Sequence, residues 1–157
     1  MKKHSGESPH TSATPPLRVF IADDSRVVQR YLGLSLQLIP GAELAGRAFT
    51  TEDTIVRVRE TRPDLLLLDI EMPSTSGIEV LKAIPFDDAR PLIFVLSLHE
   101  SPVLANYCLS LGADRFFGKE NGLPALLQTI MEHAAKPLPR HRPPPLAHHS
   151  HPMNTPS

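Results

Sequence analysis

The chain has one cysteine, Cys108, among 157 residues. No internal disulfide can form, so a fold must rest on a packed core, and the lone thiol suits a reducing compartment. Charge of one sign is not in surplus either. The 16 Lys and Arg are matched by 17 Asp and Glu, a formal net charge of -1, which excludes recognition of nucleic acid by a broad basic field. No apolar run approaches the length of a membrane span. The opening "MKKHSGESPHTSATPP" has a basic start but no apolar stretch behind it, so it is not a secretory signal. The expectation is a soluble, cytoplasmic protein.

Core-forming residues are scarce at both ends. Residues 1–16 are mostly small, polar or proline, and the 22 residues from 136 to 157 hold seven prolines and four histidines. Such composition buries too little apolar surface to offset ordering entropy. Both stretches are expected to be disordered tails, leaving one domain over residues 17–135. His141, His148, His149 and His151 belong to the second tail and read as solvated rather than as metal ligands. A folded output domain needs at least about 50 residues, so none is expected after Ala135.

What remains alternates between strand and helix patterns. "LRVFIA" (17–22), "AELAGRAF" (42–49), "DLLLLD" (64–69), "PLIFVLS" (91–97) and "DRFFGK" (114–119) read as strands. "SRVVQRYLGLSLQLI" carries apolar residues at helical spacing, including Val27, Val28, Tyr31, Leu32, Leu34, Leu38 and Ile39, and Pro40-Gly41 stops it. Helices are also expected in "TEDTIVRVRET", "SGIEVLKAI", "SPVLANYCLSL" and "LPALLQTIMEHAA". Strands without polar alternation are covered on both faces, as in a parallel sheet, and right-handed crossovers place helices on both sides. The fold class is therefore α/β: a doubly wound, five-stranded parallel sheet flanked by five helices. Cys108, on the fourth helix, reads as a small core residue.

Sites in such sheets form outside the carboxyl ends of the strands. There the sequence places Asp23 and Asp24 after strand one, Asp69 at the end of strand three, Ser97 at the end of strand four and Lys119 after strand five. Each has a bland reading alone: a helix cap, a solvated lysine, a strand-end hydroxyl. Together they do not. Clustered carboxylates repel unless cations neutralise them, and a hard divalent ion such as Mg²⁺ prefers oxygen ligands. Phosphoryl transfer asks mainly for positioning and charge neutralisation, and a carboxylate can be the nucleophile. The cluster reads as an aspartate phosphorylation site in which Asp69 accepts, Asp23 and Asp24 hold the metal, Lys119 pairs with the acid or phosphoryl group, and Ser97 bonds a phosphoryl oxygen.

Four segments, "FIADDSR", "LLLLDIEMPSTSG", "VLS" and "GADRFFGK", stand in order across residues 17–134. The second contains Asp-x-x-Met-Pro-x-x-x-Gly at Asp69, Met72, Pro73 and Gly77. In these the chain resembles the receiver domain of bacterial two-component response regulators. The resemblance implies a flavodoxin-like fold with strand order 2-1-3-4-5. It implies Mg²⁺ bound by Asp24, Asp69 and the main-chain carbonyl of Glu71, and by Asp23 through water. Phe116 would fill the aromatic switch position, moving as Ser97 shifts toward the phosphoryl group. The implied partners are a sensor histidine kinase or phosphotransfer protein as donor, an unidentified protein target, and a second copy of the chain once phosphorylated. No direct nucleic-acid or membrane contact is implied.

Two positions depart from the family pattern. Leu98 stands where a small residue is common and would narrow the phosphoryl site. Glu120 replaces a common proline, as in receivers of helix-turn-helix regulators, which the last part of the domain resembles. Glu71 and His99, two residues beyond Asp69 and Ser97, resemble the family's tuners of self-dephosphorylation. Two other readings stand beside the switch. One is a receiver-shaped scaffold that is never phosphorylated, for which Leu98 is the support. The other is an aspartate-nucleophile phosphohydrolase, suggested by Asp69 and Glu71, but with its motif on the wrong strand and no cap insertion.

Overall fold

In the computed structural model, residues 14–73 and 75–136 are described. Of the expected tails at 1–16 and 136–157, residues 1–13 and 137–157, with their histidines, lie outside the described residues, as does Ser74. Ten elements alternate: β1 (Leu17–Ala22), α1 (Arg26–Gln37), β2 (Ala42–Ala48), α2 (Thr51–Thr61), β3 (Leu65–Asp69), α3 (Gly77–Ala83), β4 (Leu92–Ser97), α4 (Pro102–Ser110), β5 (Arg115–Gly118) and α5 (Leu123–Ala134). The five strands are parallel and ordered β2-β1-β3-β4-β5. This is the doubly wound, flavodoxin-like α/β fold expected from the alternating pattern.

The central strands are buried on both faces, and successive side chains feed different cores. Phe20, Ala22, Leu66, Leu68, Ile93 and Val95 join Val58 of α2, Val80 and Leu81 of α3 and Cys108 of α4. Val19, Ile21, Leu65, Leu67, Phe94 and Leu96 join Leu32 and Leu36 of α1 and Leu126 and Ile130 of α5. Four leucines in a row make sense only in a strand that is covered twice.

Side-chain caps start the first four helices near the carboxyl edge of the sheet. Ser25, Thr50, Ser76 and Ser101 accept backbone N–H groups of Val28, Asp53, Ile78 and Leu104. Ser101-Pro102 starts α4, the serine as cap and the proline in the first turn where a missing N–H costs nothing. Helix α1 differs from expectation in one respect. Its apolar residues do not form a single core stripe: Leu32 and Leu36 are buried, while Val27, Tyr31, Leu34 and Leu38 are exposed. Among the described residues, no helix is long and apolar enough to cross a membrane.

Candidate functional site

The pairing of β1, β3, β4 and β5 brings their carboxyl ends to one edge. Asp23 follows β1 directly and is fully buried. Its Oδ1 accepts the Ser25 N–H at 2.9 Å, and its own N–H donates to the Ala48 carbonyl at 3.1 Å. The Gln29 amide, also buried, donates to the carbonyls of Ile21, Asp23 and Ala48 at 3.1, 3.2 and 2.9 Å. This glutamine ties the start of α1 to the turn that carries the acids.

Asp69 ends β3 and is equally buried. Its Oδ1 accepts the Glu71 N–H at 2.9 Å. Its backbone runs so close to Gly77 that a Cβ there would sit 2.1 Å from the Asp69 carbonyl oxygen. Glycine is required by this approach rather than by a left-handed conformation.

Lys119 follows β5, and its N–H donates to the Ser97 carbonyl at 2.8 Å. Its ammonium lies 2.8 Å from Asp23 Oδ2 and 3.1 Å from Asp69 Oδ2. These are ion-pair distances, and neither buried Oδ2 atom has a further hydrogen-bond partner among the described residues. Asp24 is exposed, yet one oxygen from each of Asp23, Asp24 and Asp69 can be chosen so that all lie within 4.8 Å of one another.

The electrostatics follow from burial. Desolvation, and then the neighbouring Asp23, push the Asp69 carboxyl up to about 8, against a smaller opposing pull from Lys119. Burial alone would lower the Lys119 ammonium, but the two aspartates outweigh it and raise it above its ordinary value. Asp23 and Asp69 share one ammonium with the Asp24 carboxylate beside them, and the cluster is short of positive charge among the described residues. A small hard cation matches that shortage and the all-oxygen donor set.

Ser97 is fully buried at the end of β4. Its hydroxyl is 2.5 Å from Glu71 Oε1, which it meets as donor. The same carboxylate accepts the Leu98 N–H on Oε2 at 3.2 Å and lies 3.1 Å from His99 Nδ1. Burial alone would raise the Glu71 carboxyl, but the hydrogen bonds from Ser97, His99 and Leu98 outweigh it and hold it at about 2. Leu98 itself is 53% exposed. Phe116 is partly buried against the core on the α4 side of the sheet, whereas Phe117 stacks at a tilt on Phe94 at 5.7 Å.

Asp23, Asp24, Asp69 and Lys119 thus come together as the strand-end rule suggested. Ser97 stands on the neighbouring strand with its hydroxyl engaged by Glu71. Two features were not foreseen. Gln29 could have been suspected as a polar residue on the same helical face as Leu32 and Leu36. Glu71 was expected to offer its main-chain carbonyl to the metal and to sit at a position that tunes self-dephosphorylation; that its side chain bridges to β4 was not foreseen.

The model of the response regulator receiver domain matches residues 19–131. The chain is 35% identical over 107 residues to protein-glutamate methylesterase/protein-glutamine glutaminase 3 of Syntrophomonas wolfei, covering 68% of this chain and 30% of that protein. It is also 35% identical over 109 residues to a protein-glutamate methylesterase/protein-glutamine glutaminase of Myxococcus xanthus, covering 69% and 31%. It therefore spans about a third of the length of these curated relatives. The response regulator domain of Thermotoga maritima CheB superposes with a TM-score of 0.68 at 27% identity, covering 77% of this chain and 98% of that one. A CheX-CheY-BeF3-Mg complex from Borrelia burgdorferi gives 0.68 at 27%, covering 74% and 88%. A LuxR-family regulator from Aurantimonas gives 0.69 at 24%, covering 76% and 86%, which shows the shared fold alone. Family model, strand order and solved structures agree: the chain belongs to the response regulator receiver domain family, whose fold serves as a phosphoacceptor switch.

Proposed function

We propose that residues 17–135 act as a phosphorylation switch with Asp69 as the acceptor. One observation carries this reading: two fully buried carboxylates, from the ends of β1 and β3, converge on the single ammonium of Lys119. Such an arrangement costs folding free energy as it stands. It becomes useful when a cation and a phosphoryl group complete the charge balance.

Asp23, Asp24, Asp69 and the main-chain carbonyl of Glu71 would hold Mg²⁺. The ion would supply charge neutralisation for the phosphoryl oxygens. Asp69 attacks the phosphorus of a phosphohistidine, a new O–P bond forms, the N–P bond breaks, and the imidazole keeps the bonding pair and takes up a proton. Lys119, already 3.1 Å from Asp69 Oδ2, stays to pair with the product. Phosphorylation adds a charge of about -1.5 to -2. Ser97 then donates to a phosphoryl oxygen, and Phe116 responds on the α4 side. Receiver domains interact with histidine kinases and phosphotransfer proteins, and either would be the donor here. Output would pass by protein–protein contact through α4, β5 and α5, with a phosphorylation-dependent pair of copies as one form of it. The 53% exposure of Leu98 supports the switch over the scaffold reading.

The test is to incubate the protein with acetyl phosphate and Mg²⁺ and weigh it. We expect the gain of one phosphoryl group, absent in Asp69→Asn. No gain at any Mg²⁺ concentration would replace this reading with the scaffold.

A further inference from the structure

The carboxylate of Glu71 occupies donors that a phosphoryl group on Asp69 would need. The Ser97 hydroxyl has one proton, directed to Glu71 Oε1 at 2.5 Å. The Leu98 N–H, the first backbone donor after β4, points to Glu71 Oε2 at 3.2 Å. Neither group can serve two anions fully at once. His99 Nδ1 adds a third contact at 3.1 Å. Meanwhile the Glu71 backbone is anchored beside the acceptor by its N–H to Asp69 Oδ1 at 2.9 Å. The side chain is therefore tethered between the acceptor strand and the switch hydroxyl, with 28% of its surface open to solvent.

We propose that the Glu71 side chain is a latch: its carboxylate stands in for phosphoryl oxygens on Ser97 and Leu98, and phosphorylation must displace it before the switch can move. The inference rests on the phosphoacceptor reading and deepens it. An unmodified chain keeps Ser97 satisfied and buried, so the switch is held off by an internal anion rather than by the lack of a ligand. On displacement the glutamate rotates outward to water, which needs only side-chain torsions. The Ser97 hydroxyl is not stranded during the exchange, because the His99 carbonyl is 3.1 Å away as a second acceptor. The latch opposes binding by the competition of one charge-assisted hydrogen-bond set with another of the same kind.

The experiment measures half-saturation by beryllofluoride, a phosphoryl mimic, in Mg²⁺, using 19F NMR on the full chain. Glu71→Ala should bind about tenfold more tightly than the unmodified chain, one charge-assisted interaction's worth. Glu71→Gln keeps shape and fold but lacks the charge, and should fall between the two. In a Ser97→Ala background the gain from Glu71→Ala should shrink to about threefold or less, because the main contested donor is gone. Equal or weaker binding in Glu71→Ala overturns the latch. An undiminished gain in the Ser97→Ala background also overturns it, since bulk charge would then suffice. If the unmodified chain and the variants all fail to bind beryllofluoride and to gain mass from acetyl phosphate, the phosphoacceptor reading falls first and takes the latch with it.

Discussion

At the scale of residues, Asp69 sets the terms. Its carboxyl is held at about 8 by burial and by Asp23, while its ordinary value is 3.8. Between those pH values the folded chain binds more protons than the unfolded one. Stability from this group is therefore fully present below pH 3.8 and is lost as pH rises through about 8. Glu71 acts with the opposite sign and in another window. Its carboxyl sits at about 2 against 4.5, so its contribution is present above pH 4.5 and is lost as pH falls toward 2. The two windows scarcely overlap. We expect urea denaturation in EDTA to show Asp69→Asn more stable than the parent at pH 8, by a few kcal/mol, with the difference shrinking toward pH 4. Equal stability at both pH values would show that the buried acid carries no such penalty.

Elements fix these side chains by their ends. Asp69 can close β3 because Gly77, at the start of α3, leaves room for its carbonyl; the nearest atoms to an added Cβ are backbone, at 2.1 Å for Asp69 O and 3.1 Å for Ile70 Cα. Backbone cannot swing aside as a side-chain tip can. Gly77→Ala should therefore cost about 2 kcal/mol in denaturant midpoint analysis and lower the phosphoryl yield from acetyl phosphate, because Asp69 shifts with its carbonyl. By contrast, a Cβ on Gly118 meets only the end of the flexible Glu100 side chain, nearest at 1.8 Å, and Gly118→Ala should be milder in both assays. The strands were legible in the sequence because unbroken apolar runs such as Leu65–Leu68 fit only doubly covered positions. The face that α1 turns to the core was not. Val27, Tyr31, Leu34 and Leu38 obey the same spacing as Leu32 and Leu36, and periodicity does not say which of two apolar faces is covered.

On the scale of the whole molecule, the site is a balance of charge between distant segments. A cation that binds the folded cluster and not the unfolded chain raises stability by about 2.7 kcal/mol at a hundredfold excess over its Kd. Thermal melts at pH 8 should therefore rise with Mg²⁺ in the parent chain. Asp24→Asn, an exposed position whose change leaves the core alone, should blunt that rise. A rise of equal size in Asp24→Asn would place the cation elsewhere.

Local pattern was enough to set the alternation of strands and helices and the presence of acids, hydroxyl and lysine at strand ends, because period and turn chemistry act over a few neighbours. Only the folded arrangement decided that Lys119 would lie between Asp23 and Asp69, that Gln29 would bind three carbonyls under the site, and that the Glu71 carboxylate would reach Ser97. The Lys119 and Glu71 contacts join residues tens of positions apart, the Gln29 bonds cross from helix to strand ends, and all their distances depend on how five strands stagger and twist, which no short window of sequence encodes.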